Sequence, residues 1–544
     1  MTGLGAPEDP KAEFIDSAVW HGSLERADQI LARHPEIADS DIHVAAILGA
    51  DASVRRFLEA DPANATAKGG PRGWDALTYL CFSKYLRLDR ARSDGFLRAA
   101  AALLDAGASA ATGFYDPRHR PEPAFESALY GAAGVAHHPE MTRLLLEHGA
   151  DPNDGEVAYH SPETADNRAM KILVESGKLT PDSLALMLAR KFDWHDLDGV
   201  AWLLEHGADA NFLSRWGGRP LHKALQCDTP LSYFELLLDR GADPTLPGKQ
   251  NGSPFALAGR MARADVLALF ERRGFAVELH GDDAFLAACT RADEAAARAG
   301  AAADPGLVAR LQSDNSALLA DFAGSGNTAA LRLMLDLGFH SETALHVCAA
   351  RGRLANVELL IERGAPLEAA NDRGYTPLAV AIRCLVEQSE FTPNEFTLAI
   401  AKALIDAGAN PAVARMTLAA AVCLGRSPDI ALLAPQASSG DRQIALAAAA
   451  YNGVADAIPF LLSLGADPNA SDPGLEHATP LHNAVSSGSL DTVQALVRAG
   501  AKLDGRDQAY QATPRQWAEY YAGINRGPAK QDAAIAAYLR EHEK

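Results

Sequence analysis

Two short patterns of apolar and polar residues alternate along the chain. In one, a Thr-Pro step precedes a Leu and a set of small apolar residues, as in residues 479–485 (TPLHNAV) and 376–381 (TPLAVA). In the other, a Leu-Leu pair runs into Gly-Ala-Asp, as in residues 144–153 and 461–469. The apolar positions recur at helical spacing in both patterns, and this predicts pairs of short amphipathic helices.

Single residues mark where each predicted helix begins and ends. The Thr caps the first helix, and the Pro fits its first turn because no amide there has a helical partner. The Gly before Ala-Asp ends the second helix in a left-handed turn. Asp-Pro-Asn then begins a hairpin-like finger that leads to the next Thr-Pro step.

These two blocks, TPLHxAAxxG and LLxxGADPN, resemble the ankyrin repeat over nearly the whole chain, and they recur at the repeat period of about 33 residues. Marked at the Leu of the first block, the units start at Ile15, Ile42, Leu77, Leu129, Leu184, Leu221, Phe255, Leu286, Leu319, Leu345, Leu378, Leu418, Leu446, Leu481 and Arg515, with a degenerate unit near Glu163. The resemblance implies an all-α ankyrin-repeat solenoid of about sixteen helix-turn-helix units with hairpin-like fingers.

The expected organisation is a polar N-terminal segment at residues 1–11, followed by one continuous array over residues 12–544. Units near 155–183 and 286–330 match the pattern poorly. Residues 512–544 have the features of a terminal cap, since Arg515 replaces the expected Leu and the chain ends in polar residues. A terminal repeat needs a polar outer face because no further repeat covers it.

Composition and charge limit the classes of partner that we expect the chain to bind. The chain of 544 residues is 48% hydrophobic and 22% charged, with a net charge of -20. A nucleic-acid surface needs a cationic footprint, so we expect no nucleic-acid partner. No apolar run approaches the roughly 20 residues of a membrane helix, and the N-terminus does not have the features of a secretory signal. We therefore expect no membrane association and a cytoplasmic location, and the excess of Ala and Arg suggests a bacterial source.

The cysteines and histidines favour packing over catalysis. None of the cysteines forms a CxxC pair, which argues against a zinc ribbon or a thioredoxin-like motif. We expect free, buried thiols at Cys81, Cys227, Cys289, Cys348, Cys384 and Cys423. In the resembled family, the histidine of TPLH bridges loop backbone, and His43, His222, His346 and His482 occupy that position. No catalytic residue, cofactor or metal site is predicted.

The densest group of ionisable residues is Lys191 to Asp198, where a His and three carboxylates follow one another. Metal and acid-base motifs place their ligands at helical or loop spacings, whereas these residues are consecutive. The segment is therefore predicted to be an inter-helix loop in which Asp196 or Asp198 caps the next helix.

The resemblance implies a non-enzymatic, monomeric protein-binding scaffold or adaptor that uses its finger tips and concave face. Stacking occupies the Leu, Ala and Val positions, so exposed finger residues can vary for recognition. Large aromatic and Arg side chains dominate interface energetics, and the long finger from Ser109 to Phe125 is rich in both. The predicted partner-binding residues are Phe114, Tyr115, Arg118, Arg120, Arg215, Trp216 and Tyr375.

Three alternatives stay open at this point. Trp216 and Tyr375 could fold back onto their own hairpins. The chain could be an enzyme with a site built on the concave surface from several repeats. It could also be a secreted effector or inhibitor of a foreign protein.

Overall fold

The computed structural model describes residues 9–119, 122–164, 166–249, 252–276, 278–387, 396–471, 478–507, 512–524 and 530–543. Sixteen helix pairs follow one another through this part of the chain, so the all-α class and the number of units are confirmed. The contacts divide the chain into two compact units, residues 1–251 and 252–544. Continuity of the array over residues 12–544 stays a prediction.

The first unit contains seven helix pairs, one additional helix (Lys84–Leu88) and one two-stranded antiparallel hairpin. Its elements are α1 (Pro10–Ala18), α2 (Leu24–Arg33), α3 (Ile42–Ile47), α4 (Asp51–Ala60), α5 (Ala76–Cys81), α6 (Lys84–Leu88), α7 (Ser93–Asp105), β1 (Gly113–Asp116), β2 (Ala124–Ser127), α8 (Ala128–Tyr130), α9 (Pro139–Glu147), α10 (Gly155–His160), α11 (Arg168–Glu175), α12 (Pro181–Asp193), α13 (Leu197–Glu205), α14 (Pro220–Gln226) and α15 (Leu231–Asp239). A π-helical turn, Gly131–Val135, continues α8, and 3₁₀ turns occupy Pro35–Asp39, Pro62–Ala65 and Arg90–Arg92.

The second unit contains nine helix pairs and one additional helix, α20. Its helices are α16 (Pro254–Arg260), α17 (Ala264–Arg272), α18 (Gly281–Thr290), α19 (Glu294–Ala303), α20 (Leu307–Asp314), α21 (Leu318–Ser325), α22 (Thr328–Asp336), α23 (Ala344–Ala350), α24 (Leu354–Glu362), α25 (Pro377–Val386), α26 (Thr397–Asp406), α27 (Leu418–Cys423), α28 (Ser427–Leu433), α29 (Ser439–Tyr451), α30 (Ile458–Ser463), α31 (Pro480–Ser487), α32 (Leu490–Arg498), α33 (Pro514–Ile524) and α34 (Asp532–His542). Short 3₁₀ turns occupy Ala434–Gln436 and Ala455–Ala457.

Small side chains let the first helices of successive pairs pack closely. Helix α29 packs between α27 and α31, and its residues 445–450 are all fully buried. Five of those six residues are alanine, so the helices approach with little side-chain volume between them and little side-chain entropy lost. Leucines of the second helices, such as Leu461 and Leu496, complete the core of each pair.

The predicted helix ends are confirmed. The Thr376 hydroxyl accepts a hydrogen bond from the Ala379 amide at 3.2 Å, and Pro377 lies in the first turn of α25. At the end of α30, Gly465 has a φ of 92°. A side chain would strain this left-handed backbone, so Gly is the residue that lets the chain leave the helix and enter the finger.

The TPLH histidines join each first helix to the finger that follows it. The Nε2 atoms of His43 and His482 lie 3.0 Å from the carbonyl oxygens of Ala67 and Ala512. His346 Nε2 lies 3.0 Å from the Ala369 oxygen and 2.9 Å from the oxygen of Tyr375. These contacts confirm a structural role for His43, His346 and His482, because each ring lies within hydrogen-bonding distance of a finger carbonyl oxygen. The oxygens of Ala512 and Tyr375 also accept hydrogen bonds from backbone amides of the same fingers.

All six cysteines are free thiols at or near the ends of first helices. The prediction of burial is right for four of them and wrong for Cys227 and Cys384, which are only half-buried. Cys227 follows the last residue of α14, and Cys384 lies in the last turn of α25. At these positions the neighbouring helices no longer cover the side chain completely.

We expect His346→Ala to loosen the finger at residues 367–376. The change removes the His346 ring from the carbonyl oxygens of Ala369 and Tyr375, of which Tyr375 keeps the Asn371 amide as a donor, at a cost of about 1–2 kcal/mol for local opening. Hydrogen exchange of the finger amides should accelerate by roughly 5- to 30-fold. The exposed His340 is the matched control, and His340→Ala should leave those rates unchanged. Equal finger exchange in the parent and His346→Ala would contradict the bridging role.

Candidate protein-interaction site

The predicted long finger folds as a β-hairpin. Strand β1 pairs antiparallel with β2, with Gly113 opposite Ser127 and Asp116 opposite Ala124. A Cβ atom at position 113 would overlap the Glu126 carbonyl oxygen, so Gly is required at the start of β1. The alternation of the strands leaves Tyr115 68% exposed and buries Asp116.

Phe114 points into the protein rather than toward solvent. Its ring stacks on Trp74 at a centroid distance of 4.1 Å and meets Trp20 and Phe82 edge-on at 5.2 Å each. Such aromatic pairs add stability beyond their buried area. Phe114 therefore anchors the hairpin to the first unit, and Tyr115 is the aromatic side chain that the finger presents to solvent.

Arg118 is exposed, but its guanidinium already has partners. Its Nε and Nη2 atoms donate to both carboxylate oxygens of Asp116 at 2.9–3.0 Å. The guanidinium also lies 4.8 Å from the centre of the Trp20 ring. Hydrogen bonding by Arg118 holds the pKa of the Asp116 carboxyl below its usual range. The other predicted finger arginine, Arg120, lies outside the described residues.

A second finger, residues 206–219, presents Arg215 and Trp216. The Trp216 side chain is 60% exposed, and the Arg215 guanidinium lies 4.4 Å from the centre of its ring. The turn is closed by the Ser214 amide, which donates to the Gly218 oxygen at 2.9 Å. Among the described residues no carboxylate pairs with Arg215. Trp216 therefore does not fold back onto its own hairpin, which resolves this alternative for one of the two residues.

Trp216 forms one wall of a cleft of about 270 Å³ in the first unit. The opposite wall consists of the first helices α10, α12 and α14. Apolar and charged groups alternate along the cleft, whose lining includes Tyr159, Leu186, Phe212, Arg190, Asp193 and Lys223.

A chain of ion pairs crosses the three first helices beside this cleft. His160 lies between Glu156 and Glu163, at 3.2 Å and 2.7 Å from their oxygens. Arg190 continues the chain by pairing with Glu163 and with Asp193. Lys223 ends it at 2.6 Å from Asp193. We call this series of six residues the ionic chain; its partly buried, mutually paired charges fix the side chains at the floor of the cleft.

The ionic chain changes the charge of His160. Burial lowers the pKa of the imidazole, but hydrogen bonds to Glu156 and Glu163 and their negative charges outweigh it and raise the pKa to about 9. His160 is therefore cationic at neutral pH, and the pKa of Glu163 lies below its usual range even though burial opposes that shift.

Tyr375 lies in the second unit. It is half-buried, and the guanidinium carbons of Arg415 and Arg383 lie 5.3 Å and 5.9 Å from its ring centre. Tyr375 thus contacts one arginine of its own repeat, Arg383, and one of the following finger, Arg415.

The segment from Lys191 to Asp198 is helical at both ends, so its prediction as a loop is wrong for residues 191–193, which belong to α12, and for residues 197–198, which belong to α13. The cap is confirmed, because Asp196 accepts a hydrogen bond from the Gly199 amide at 2.8 Å. The Lys191 side chain is fully buried, and its Nζ lies 2.7 Å from Asp196. A buried ammonium requires such a partner, which explains the density of charge in this segment.

Sequence reasoning missed Tyr159, Arg190 and the ionic chain. The partners of Arg190 lie 27 residues before it and 3 residues after it, so the link appears only when the repeats are stacked. The available signal was the spacing of charged residues by about one repeat, between Glu163 and Arg190 and between Asp193 and Lys223.

The raised pKa of His160 predicts a specific pH dependence. The folded pKa of about 9 exceeds the ordinary value of 6.5, so the stabilisation is fully present below pH 6.5 and is lost as the pH rises through 9. His160→Gln should therefore destabilise the protein more at pH 6 than at pH 10. NMR titration of the His160 ring should give a midpoint near 9, with the exposed His148 as a reference. A midpoint at or below 6.5 would show that the ionic chain does not form in solution.

Comparison with known families supports the repeat assignment. The family model described as "Ankyrin repeat" matches residues 340–372, and the model "Ankyrin repeats (3 copies)" matches residues 397–507. Among the described residues, no helix has the length and apolar character needed to cross a membrane.

Several known proteins are similar to parts of the chain. The human Ankyrin repeat and SOCS box protein 16 is 31% identical over 220 residues, which cover 39% of this chain and 43% of that protein. The human 2-5A-dependent ribonuclease is 44% identical over 73 residues, 13% of this chain and 10% of the ribonuclease. Mouse Rabankyrin-5 is 31% identical over 170 residues, 30% of this chain and 14% of that protein. The chain thus spans less than half the length of each of these relatives.

Among solved structures, the human ASB11 ankyrin repeat domain aligns with 44% of this chain and 100% of its own, at 20% sequence identity and a TM-score of 0.33. The two repeat blocks, the helix pairs they form and the matches to both repeat models lead to one assignment. The chain belongs to the ankyrin-repeat family.

Proposed function

We propose that this chain is a monomeric, cytoplasmic scaffold or adaptor of bacterial origin that binds a partner protein at the cleft between the 206–219 finger and helices α10, α12 and α14. Ankyrin-repeat relatives indicate a protein-interaction scaffold in general. Within that class, the proposal assigns the contact surface to the first-helix and finger side of the first unit.

The distribution of exposed apolar side chains carries this proposal. Among the described residues of the first unit, the large exposed hydrophobic side chains are Tyr115, Tyr159, Leu213 and Trp216. All four lie on fingers or on a first helix, and none lies on a second helix. Large apolar groups that gather on one side of a soluble protein are typical of an interaction surface.

The cleft has room for a side chain of a partner protein. Its volume of about 270 Å³ lies just below the range of about 300–1,000 Å³ that is typical of small-ligand pockets. One bulky side chain of a partner fits that volume, with Trp216 and Tyr159 as its neighbours. Buried aromatic anchors of this kind dominate binding energy in protein interfaces.

Charge around the cleft indicates the character of the partner. The chain carries a net charge of -20, yet the rim of the cleft presents Arg215 and Arg219. Arg215 has no carboxylate partner among the described residues, so it is available to pair with a carboxylate of the partner. We therefore infer that the partner places an acidic residue beside its bulky apolar anchor, and that association weakens as salt is added.

The cleft argues against the enzymatic alternative. Its ionisable groups Arg190, Asp193 and Lys223 neutralise one another. Burial raises the pKa of the adjacent Cys227 thiol to about 12, so it is protonated at neutral pH and a poor nucleophile. An acid-base or nucleophilic site needs a group poised near neutrality, and these groups do not supply one.

We expect Trp216→Ala to weaken binding by about 30-fold or more, the equivalent of a hot spot of about 2 kcal/mol. The measurement compares capture by parent and variant from lysate of the native cell by quantitative mass spectrometry, and then dissociation constants with the purified partner. Tyr115→Ala and Arg215→Ala should weaken binding less, and Arg215→Ala should also reduce the salt dependence. Alanine substitutions at the remaining predicted contact residues complete this alanine scan; these residues are Phe114, Arg118, Arg120 and Tyr375.

The matched controls are Leu432→Ala and Phe460→Ala, which remove exposed apolar side chains from second helices of the second unit. Both should bind the partner as the parent does. Circular dichroism confirms that every variant is folded. If every variant in the scan binds within about 0.5 kcal/mol of the parent, the range of neutral surface changes, the cleft is not the binding site.

A further inference from the structure

Three side chains of the β-hairpin finger converge near its turn. Asp116 ends β1, His119 lies in the connecting turn and Glu126 lies on β2. One ligand atom from each residue lies within 4.8 Å of the other two. His119 Nε2 lies 3.5 Å from Glu126 Oε1 and 4.0 Å from Asp116 Oδ2. Hairpin pairing thus brings together one imidazole and two carboxylates.

Glu126 has no compensating partner for part of its carboxylate. Its side chain is only 1% exposed, and its Oε2 atom is buried with no hydrogen-bond partner among the described residues. Burying a carboxylate is costly unless it is paired or coordinates a metal. Asp116 is also buried, but Arg118 satisfies both of its oxygens. A cation bound at Glu126 would supply the missing partner.

We propose that Asp116, His119 and Glu126 form a binding site for one divalent transition-metal ion, with Zn²⁺ as its best-suited occupant. An imidazole with carboxylates suits zinc and its neighbours, whereas calcium and magnesium prefer oxygen ligands alone. Three protein ligands leave one position of a tetrahedral ion for water. Nothing in the sequence pattern marks this set, because its third ligand lies across the hairpin from the other two.

The geometry requires only a small contraction. A tetrahedral zinc ion with ligands at about 2.1 Å holds them about 3.4 Å apart. The separation of His119 from Glu126 already has this value, and the remaining separations must close by roughly 1 Å. His119 is exposed and lies in the turn between the strands, so its side chain can approach the ion from solvent.

The charges near the proposed site have opposite effects on the binding of a cation. Glu156 adds negative charge near Glu126, while the cationic His160 opposes a second cation there. Arg118 is the direct competitor, because its guanidinium occupies the Asp116 carboxylate. Metal binding would weaken that ion pair and tie β1, the turn and β2 together at one point. The site would therefore stiffen the finger that presents Tyr115.

The test uses the full chain, stripped with a chelator and titrated with Zn²⁺ alone by calorimetry. We expect one site per chain, and His119→Ala should weaken it by about 100-fold or more, since even residues behind a metal ligand matter by 10- to 100-fold. Glu126→Gln, which keeps the shape of the side chain, should have a similar effect. Arg118→Gln should tighten binding because it removes the competing cation.

His148→Ala is the matched control, because it removes another exposed histidine that is far from the hairpin in sequence. Far-UV circular dichroism verifies folding, and a Co²⁺ spectrum of the parent should show the strong visible bands of a four-coordinate site. The proposal is overturned if the parent binds no zinc, or if His119→Ala binds it as the parent does. Displacement of zinc by equimolar Mg²⁺ would also overturn it.

Discussion

Close stacking of first helices is the constraint on which the rest of this structure depends. Along the second unit, alanines such as those of α29 allow the helices to meet almost backbone to backbone. In the first unit, a Cβ atom at Gly131 would lie 2.9 Å from the Cys81 carbonyl oxygen, closer than real side chains tolerate. This spacing sets the distance between successive fingers, because each finger is joined to its own helix pair by a histidine contact or a backbone turn.

The same spacing explains how the cleft in the first unit is built. Glu163, Arg190, Asp193 and Lys223 contact one another only because α12 and α14 stack at repeat distance, with the end of α10 beside them. Once these charges are paired with each other, they have little capacity to bind a partner. We therefore propose that recognition uses side chains that helix stacking does not use, above all the exposed aromatic side chains of the first unit. In this proposal, the interaction surface consists of the groups that packing leaves exposed.

The sequence predicted the fold well because each repeat is specified locally. Thr376, Pro377 and Gly465 act within one helix turn of their own positions, and the bridging histidines act on the finger that follows. The site was harder to predict because its contacts run between repeats or across a hairpin. Phe114 and Tyr115 are adjacent aromatic residues on opposite faces of the hairpin, and only the pairing of β1 with β2 decides which of them faces solvent. Likewise, a lysine is expected at the surface, and only the structure shows that the buried ammonium of Lys191 pairs with Asp196.

Crosslinking from position 216 is the sharpest test of the proposed contact between a partner protein and the cleft beside Trp216. A photoreactive benzoylphenylalanine replaces Trp216 in one variant and Leu432 in another, and both are illuminated in lysate of the native cell. We expect one protein to be crosslinked from position 216 and not from position 432. The crosslinked peptide of that protein should contain an acidic residue beside a bulky apolar one. Identical crosslinked products from the two positions, or none from position 216 while another surface captures the partner, would contradict it.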